Sequence, residues 1–256
     1  MQTPKEIAIN YVNIAKTKTS LKWYKMLTLA ILAGVFISFG GAASTAASAG
    51  VIGGLATILK GLVFPVGLIL VVVCGAELFT GNCLLISPLI SRDIKLGATL
   101  KSWGIVYLGN FIGSVLIAFL VVFSNFQTGT TATACVKIAE TKCNMAFFDA
   151  FFRGILCNML VCLAVWGAMA SKTTGGKIAA LYMPILAFVV CGFEHSVANM
   201  YFLSSGLMAA SKLTIVPNGL NLDNAIFNCL LPSTLGNILG GFFIALAYHL
   251  VYRKQD

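Results

Sequence analysis

Charge is what this sequence has least of. Only 10% of its 256 residues are charged, while 59% are hydrophobic and the mean hydropathy is +0.93. Soluble domains carry about 25% charged residues, so a soluble fold is excluded and a membrane protein of one compact unit is expected. Histidine is scarcer still, with two in the chain. That scarcity, together with cysteine spacings unlike any zinc motif, excludes a metal centre. No loop is long enough for a soluble catalytic domain, so no catalytic site and no cofactor are expected.

The net charge of +9 does not indicate nucleic acid. Twelve of the seventeen Lys and Arg lie in the N-terminal segment (up to Lys25), in two short loops (Arg92 to Lys101, and Lys172 with Lys177) and at Arg253 and Lys254. The alternate loops hold few. This is the positive-inside asymmetry, and it reports topology. A hydrocarbon core of about 30 Å needs roughly 20 apolar residues per helix. The sequence predicts spans at about 26–47, 61–90, 103–124, 147–170, 179–210 and 232–251. Six spans return both termini to the cytoplasmic side of a multi-pass protein in the cell membrane. The first apolar run follows a charged segment and five more spans follow it, so no cleavable signal peptide is expected.

Six of the eight cysteines fall in or beside spans, where a thiol behaves as a small hydrophobe. Cys135 and Cys143 share the loop between spans three and four. They stand either as free thiols or, in an oxidising exterior, as a disulfide.

Spans two and five are too long for one crossing, and each carries a polar interruption. "GAELFTGN" (Gly75 to Asn82) and "GFEHSVAN" (Gly192 to Asn199) both read G-x-E-x-x-x-x-N at a constant offset. The third span of each half repeats as well, "LGNFIGS" (Leu108 to Ser114) against "LGNILGG" (Leu235 to Gly241). The chain is therefore a duplicated three-helix unit. Because three is odd, the second copy enters the membrane inverted. Inverted repeats with corresponding broken helices point to a transport site near the bilayer midplane. The glycine pairs Gly109/Gly113 and Gly236/Gly240 let helix backbones approach closely and serve as scaffold. The expected division is 1–25 as a cytoplasmic amphipathic helix, 26–251 as the six-helix channel domain (repeats 26–124 and 147–251), and 252–256 as a cytoplasmic tail.

Glu77 and Glu194 are the acidic residues inside the spans, where a bare charge is costly. Either they titrate as proton carriers, or they accept hydrogen bonds from the backbone N–H groups that a helix break exposes. Their identical placement favours the second reading, with Asn82 as a further support residue. His195 faces Leu78 in the repeat alignment, so the duplication does not account for it. A pore role is assigned to it, with Thr80 in the opposing break as its hydroxyl partner. Two half-helix N-termini meeting beside a histidine suit a small anion.

At the N-terminus, Thr3-Pro4-Lys5-Glu6 reads as a capping box with Pro at the first helical position. The helix places Ile7, Tyr11 and Ile14 on one side, with Lys16 elsewhere. A membrane anchor on the cytoplasmic face is the preferred reading, and a cytoplasmic gate at Lys16 is the alternative.

These motifs resemble the formate/nitrite transporter family, with "RGILCNMLVCLAVW" (Arg153 to Trp166) adding to the two breaks and to "GNILGG". Within it, the hydrosulfide channel branch is the nearest in resemblance. The resemblance implies an all-α polytopic protein with aquaporin-like six-helix protomers, one pore each, assembled as a homopentamer. It places His195 and Thr80 at the pore centre with Asn158 and Asn199 beside them. It implies two apolar slits drawn from Phe64, Leu68, Leu78, Phe79 and Phe188, and an outer vestibule made positive by Lys142. Arg153 is expected to pair with Asp149 and play no part in the pore. The function implied is passage of hydrosulfide, formate or nitrite across the lipid bilayer, by a channel or by proton-coupled transport. Three other functions are weaker. A neutral-solute pore lacks the asparagine-proline-alanine pairs of aquaporins, an intramembrane metalloprotease lacks a second histidine near "EHSVA", and a pure scaffold leaves the aligned breaks unexplained.

Overall fold

The computed structural model describes residues 1–253; of the expected tail, Tyr252 ends the last helix, Arg253 caps it, and 254–256 lie outside the described residues. Among the described residues every regular element is helical. Helix α1 (Pro4–Ser20) opens with the expected box: the Thr3 side chain accepts from the Glu6 N–H, and the Glu6 carboxylate accepts from the Thr3 N–H. Ile7, Tyr11 and Ala15 are buried against the bundle. Ile14 is exposed instead. The helix packs on later spans, so it is an integral cover of the bundle and not a free anchor.

Span one is α2 (Trp23–Ser48). Span two comprises α3 (Gly53–Val63) and α4 (Val66–Val73), separated at Phe64-Pro65, and after a break continues as α5 (Phe79–Asn82), a 3₁₀ turn and α6 (Ile86–Ile90). Span three is α7 (Leu96–Phe123), and α8 (Gly129–Cys143) occupies the loop after it. Span four is α9 (Phe147–Ala170). Span five is α10 (Thr174–Val190) and, after the second break, α11 (Ser196–Lys212). A short α12 (Leu222–Asn224) and a π-helical stretch lead into span six, α13 (Leu231–Tyr252). Gly75 and Gly192 take positive φ (77° and 66°) at the breaks, a conformation that glycine adopts without a Cβ penalty. Each residue before them, Cys74 and Cys191, closes the preceding half-helix.

The two repeats pack in the same way, α2 along α7 and α9 along α13. The glycine pairs sit at these crossings. A methyl at Gly113 would meet the Ile31 carbonyl, and one at Gly236 the Phe151 carbonyl. Backbone atoms cannot swing aside as a side chain can, so Gly236→Val should force α9 and α13 apart. Overpacking costs about 1–3 kcal/mol or more, and the expected result is a sharp loss of folded protein in detergent, read by size-exclusion chromatography. A wild-type elution profile and yield would remove the close-packing role.

Cys135 and Cys143 are both free and buried. They lie eight residues apart on one helix, about 12 Å at 1.5 Å per residue, which is beyond the reach of a disulfide. The free-thiol reading holds.

Candidate functional site

The two breaks bring two half-helix N-termini together in the bundle. Thr80, in the first turn of α5, and His195, the N-cap of α11, meet there with Oγ1 and Nε2 2.9 Å apart, and both side chains are buried. His195 Nδ1 accepts from the Ala198 backbone N–H at 3.0 Å. The neutral ring therefore carries its proton on Nε2 and donates it to Thr80 Oγ1. The Thr80 hydroxyl hydrogen is left free for a ligand. Asn158 holds Thr80 in place, its Nδ2 donating to the Thr80 carbonyl at 3.1 Å and to that of Asn237 at 2.6 Å. The buried carboxamide oxygens of Asn158 and Asn199 have no protein partner.

The broken backbone is not satisfied by Glu77 and Glu194. That expectation is corrected here: the partners are the asparagines of the G-N-x-x-G motifs. Asn110 Oδ1 accepts from the Phe79 N–H at 2.9 Å, while its Nδ2 donates to the carbonyls of Ala30 and Glu77. Asn237 repeats this in the second half, accepting from the Ser196 N–H at 2.8 Å and donating to Gly154 and Glu194 carbonyls. Each asparagine thus clamps the break of span two or five to the first span of its repeat. A carboxamide is suited to this because it offers an acceptor and two donors without charge.

The glutamates instead face lysines. Lys18 Nζ lies 2.8 Å and 2.9 Å from the Glu77 carboxylate oxygens and 3.0 Å from Asn82 Oδ1, and Asn82 Nδ2 donates back to Glu77 at 2.8 Å. In the other half, Lys142 Nζ lies 2.7 Å from Glu194 Oε2, which also accepts from Asn199 Nδ2 at 2.8 Å. The two Lys-Glu-Asn groups are counterparts, each beside one break. Each carboxylate is thus engaged by one ammonium and one carboxamide. Burial works against the Lys142 charge, but the adjoining Glu194 carboxylate more than offsets it and holds the pKa above the ordinary lysine value. Lys16, the gate candidate, is exposed and makes no side-chain hydrogen bond among the described residues. Lys18, two residues on, is the lysine that reaches the break.

A cavity adjoins each break. One, of about 460 Å³, lies between α1 and the first break and is lined by Lys18, Leu68, Leu78 and Glu77. The other, of about 270 Å³, lies beneath α8 and is lined by Lys142, Glu194, His195, Phe64, Phe188 and Phe202 among others. Phe64 meets Phe188 edge-on at 5.7 Å between centroids and stacks with Phe202 at 6.5 Å, and Phe188 stacks on His195 at 5.9 Å. Phe202 joins this aromatic group although the sequence reading passed over it. Phe79 departs from its expected place: its ring lies edge-on to Trp103 and Tyr107 and faces a groove on the α7 side. Arg153 also departs. It forms no ion pair with Asp149 and lines the second cavity, with Nη1 3.5 Å from the Gly192 carbonyl.

An inverted duplication whose broken spans meet at a polar contact, with a cavity on either side, is the architecture of a membrane transport protein. The chain belongs to the formate/nitrite transporter family, whose model matches residues 5–250. It is 36% identical to a probable formate transporter of Methanothermobacter thermautotrophicus, over 99% of this chain and 98% of that one. It is 37% identical to the formate channel FocA of Haemophilus influenzae, over 93% and 90%. Among solved structures it matches an FNT family ion channel with a TM-score of 0.85 at 28% identity, covering 96% of each chain. It also matches a pentameric formate channel with formate bound, with a TM-score of 0.80 at 33% identity, covering 91% of this chain and 98% of that one. These relatives are channels and transporters, not enzymes.

Proposed function

We propose that this protein is a channel for small monovalent anions of weak acids, working as a homopentamer in the cell membrane with both termini cytoplasmic. The contact between Thr80 and His195 carries the reading. It is a neutral donor pair at the meeting point of two half-helix N-termini, bounded on the α8 side by Phe64, Phe188 and Phe202 and on the α1 side by Leu68 and Leu78. Apolar walls oppose a bare ion because its desolvation is expensive. An anion that takes up a proton crosses them as the neutral acid. Lys60, Lys142 and Arg153 together outnumber Glu194 at the mouth and supply the attraction, and the N-terminal dipoles supply positive potential at the centre.

His195 acts in this scheme as a hydrogen-bond donor. To become a cation the ring would need its Nδ1 lone pair, and that lone pair is engaged by the Ala198 N–H. The proton therefore comes from water. Formate stands first as substrate because the relatives above carry it in their names. Hydrosulfide, favoured by the sequence resemblance, and nitrite follow.

Flux of formate, hydrosulfide, nitrite and chloride into proteoliposomes, measured from pH 5 to 8, tests the reading. Weak-acid flux is expected to rise as pH falls and chloride to lag. In His195→Phe, Thr80 loses the Nε2–H bond that orients its hydroxyl, and the loss of one neutral hydrogen bond, about 0.5–1.5 kcal/mol, corresponds to a drop of roughly 2- to 10-fold. Equal flux of all four anions, unchanged in the variant, would end the proposal.

A further inference from the structure

The cavity beneath α8 holds more positive charge than one lysine. Lys60 from α3 and Arg153 from α9 line it together with Lys142. Glu194 is the one carboxylate in its lining, and it is paired with Lys142. Among the described residues neither Lys60 nor Arg153 has a carboxylate partner, since the three salt bridges lie at Lys18, Lys142 and Arg253. The lining thus carries two uncompensated positive charges, brought in by different helices. Hydroxyls of Ser44, Thr57 and Thr141 border the same space. The first cavity differs: its lining contains Lys18 as its one cation, and Glu77 neutralises it.

We propose that the cavity beneath α8 is a docking site for a small dianionic oxyanion, which it holds but does not pass. The proposal rests on the anion-channel reading and deepens it. Two unpaired cations match two negative charges, and an arginine fork with a lysine is the usual recognition chemistry for tetrahedral oxyanions. Phe64, Phe188 and Phe202 line the same cavity, packed on one another and through Phe188 on His195, and so form its apolar boundary toward the Thr80–His195 contact. The desolvation cost of an ion grows with the square of its charge, so this apolar boundary excludes a dianion far more strongly than a monoanion. A strong-acid dianion also has no neutral form to cross in. The docked ion would occupy the mouth and compete with the monovalent substrate from that side only.

The probe is sulfate. Formate flux into oriented proteoliposomes is measured against sulfate added to the α8 side, with gluconate keeping ionic strength constant. Competitive inhibition is expected, with the half-saturating formate concentration raised and the maximal rate retained. In Lys60→Met/Arg153→Gln, the sulfate concentration for half-inhibition, normalised to that variant's own flux, should rise at least about tenfold. In Lys60→Arg/Arg153→Lys it should stay near wild type. Equilibrium dialysis of radiolabelled sulfate against detergent-solubilised protein reads docking without flux. Sulfate that inhibits no better than gluconate and does not bind in dialysis overturns the proposal, as does inhibition unchanged in the charge-removed variant. If wild type passes no monovalent anion while dialysis still shows site-dependent sulfate binding, the docking site stands and the channel reading fails.

Discussion

Asn237→Leu is expected to lose most of its folded protein. The substitution keeps volume close to constant but removes three hydrogen bonds, from the Ser196 N–H at 2.8 Å and to the carbonyls of Gly154 at 2.8 Å and Glu194 at 2.9 Å. All three partners lie where span five is broken or where span four passes it, and Asn237 is fully buried. A buried polar group left unpaired costs about 1–3 kcal/mol. Three such losses at one residue are not additive, yet together they reach roughly 3–6 kcal/mol, comparable with the about 5–15 kcal/mol that holds a typical protein folded. The readout is thermal unfolding in detergent together with the yield of folded protein. Asn110→Leu removes the counterpart set at Phe79, Ala30 and Glu77 and should cost a similar amount. A stability within about 1 kcal/mol of wild type for either variant would show that the clamp is not what holds the breaks.

This clamp also marks how far the sequence could be read. The inverted duplication was legible because the two breaks repeat in register, and His195 stood out because Leu78 occupies the matching position. The G-N-x-x-G repeat was equally visible, but its glycines explain themselves through close packing. The asparagine between them has no visible task until the break it serves is brought alongside. The glutamates were found but misassigned, since their lysine partners lie outside the repeat frame: Lys18 on a peripheral helix and Lys142 on a loop helix. Lys18 could have been chosen over Lys16 from helix phase alone. It continues the buried face of Ile7 and Tyr11, eleven and seven residues after them, whereas Lys16 lies well off it. Helix α8 was likewise readable from Ala132, Cys135, Val136, Ala139 and Cys143, an amphipathic stripe in a segment that its polarity made look like loop. The aromatic contacts of Phe202 and the packing of Phe79 against Trp103 and Tyr107 depend on rotamers and packing across several spans, which no local pattern encodes.

Removing one partner of the pair formed by Lys142 and Glu194 should have the second largest effect. The two side chains are 14% and 5% exposed, so Lys142→Met leaves a carboxylate supported by Asn199 alone in a poorly solvated place. Breaking a buried ion pair from one side costs about 3–5 kcal/mol, because the remaining charge is uncompensated. The double variant Lys142→Met/Glu194→Gln removes both charges and keeps the carboxamide acceptor for Asn199. It should recover most of the lost stability, giving a coupling energy of about 2 kcal/mol or more in a double-mutant cycle. Flux should not recover with it: Lys60 and Arg153 still give the lining its net positive charge, but the double variant lacks the ammonium N–H donor that meets an arriving anion beside the break. Lys18 and Glu77, at 22% and 9% exposed, are better solvated, and the same cycle there should give a smaller coupling. A double variant that regains both stability and flux would show that the lysine beneath α8 serves only to neutralise Glu194. Stability regained without flux instead separates the two roles. The pair then lets an ammonium stand at the pore mouth without unfolding the break, and the lysine's direct contact with an arriving anion is the function that the pairing preserves.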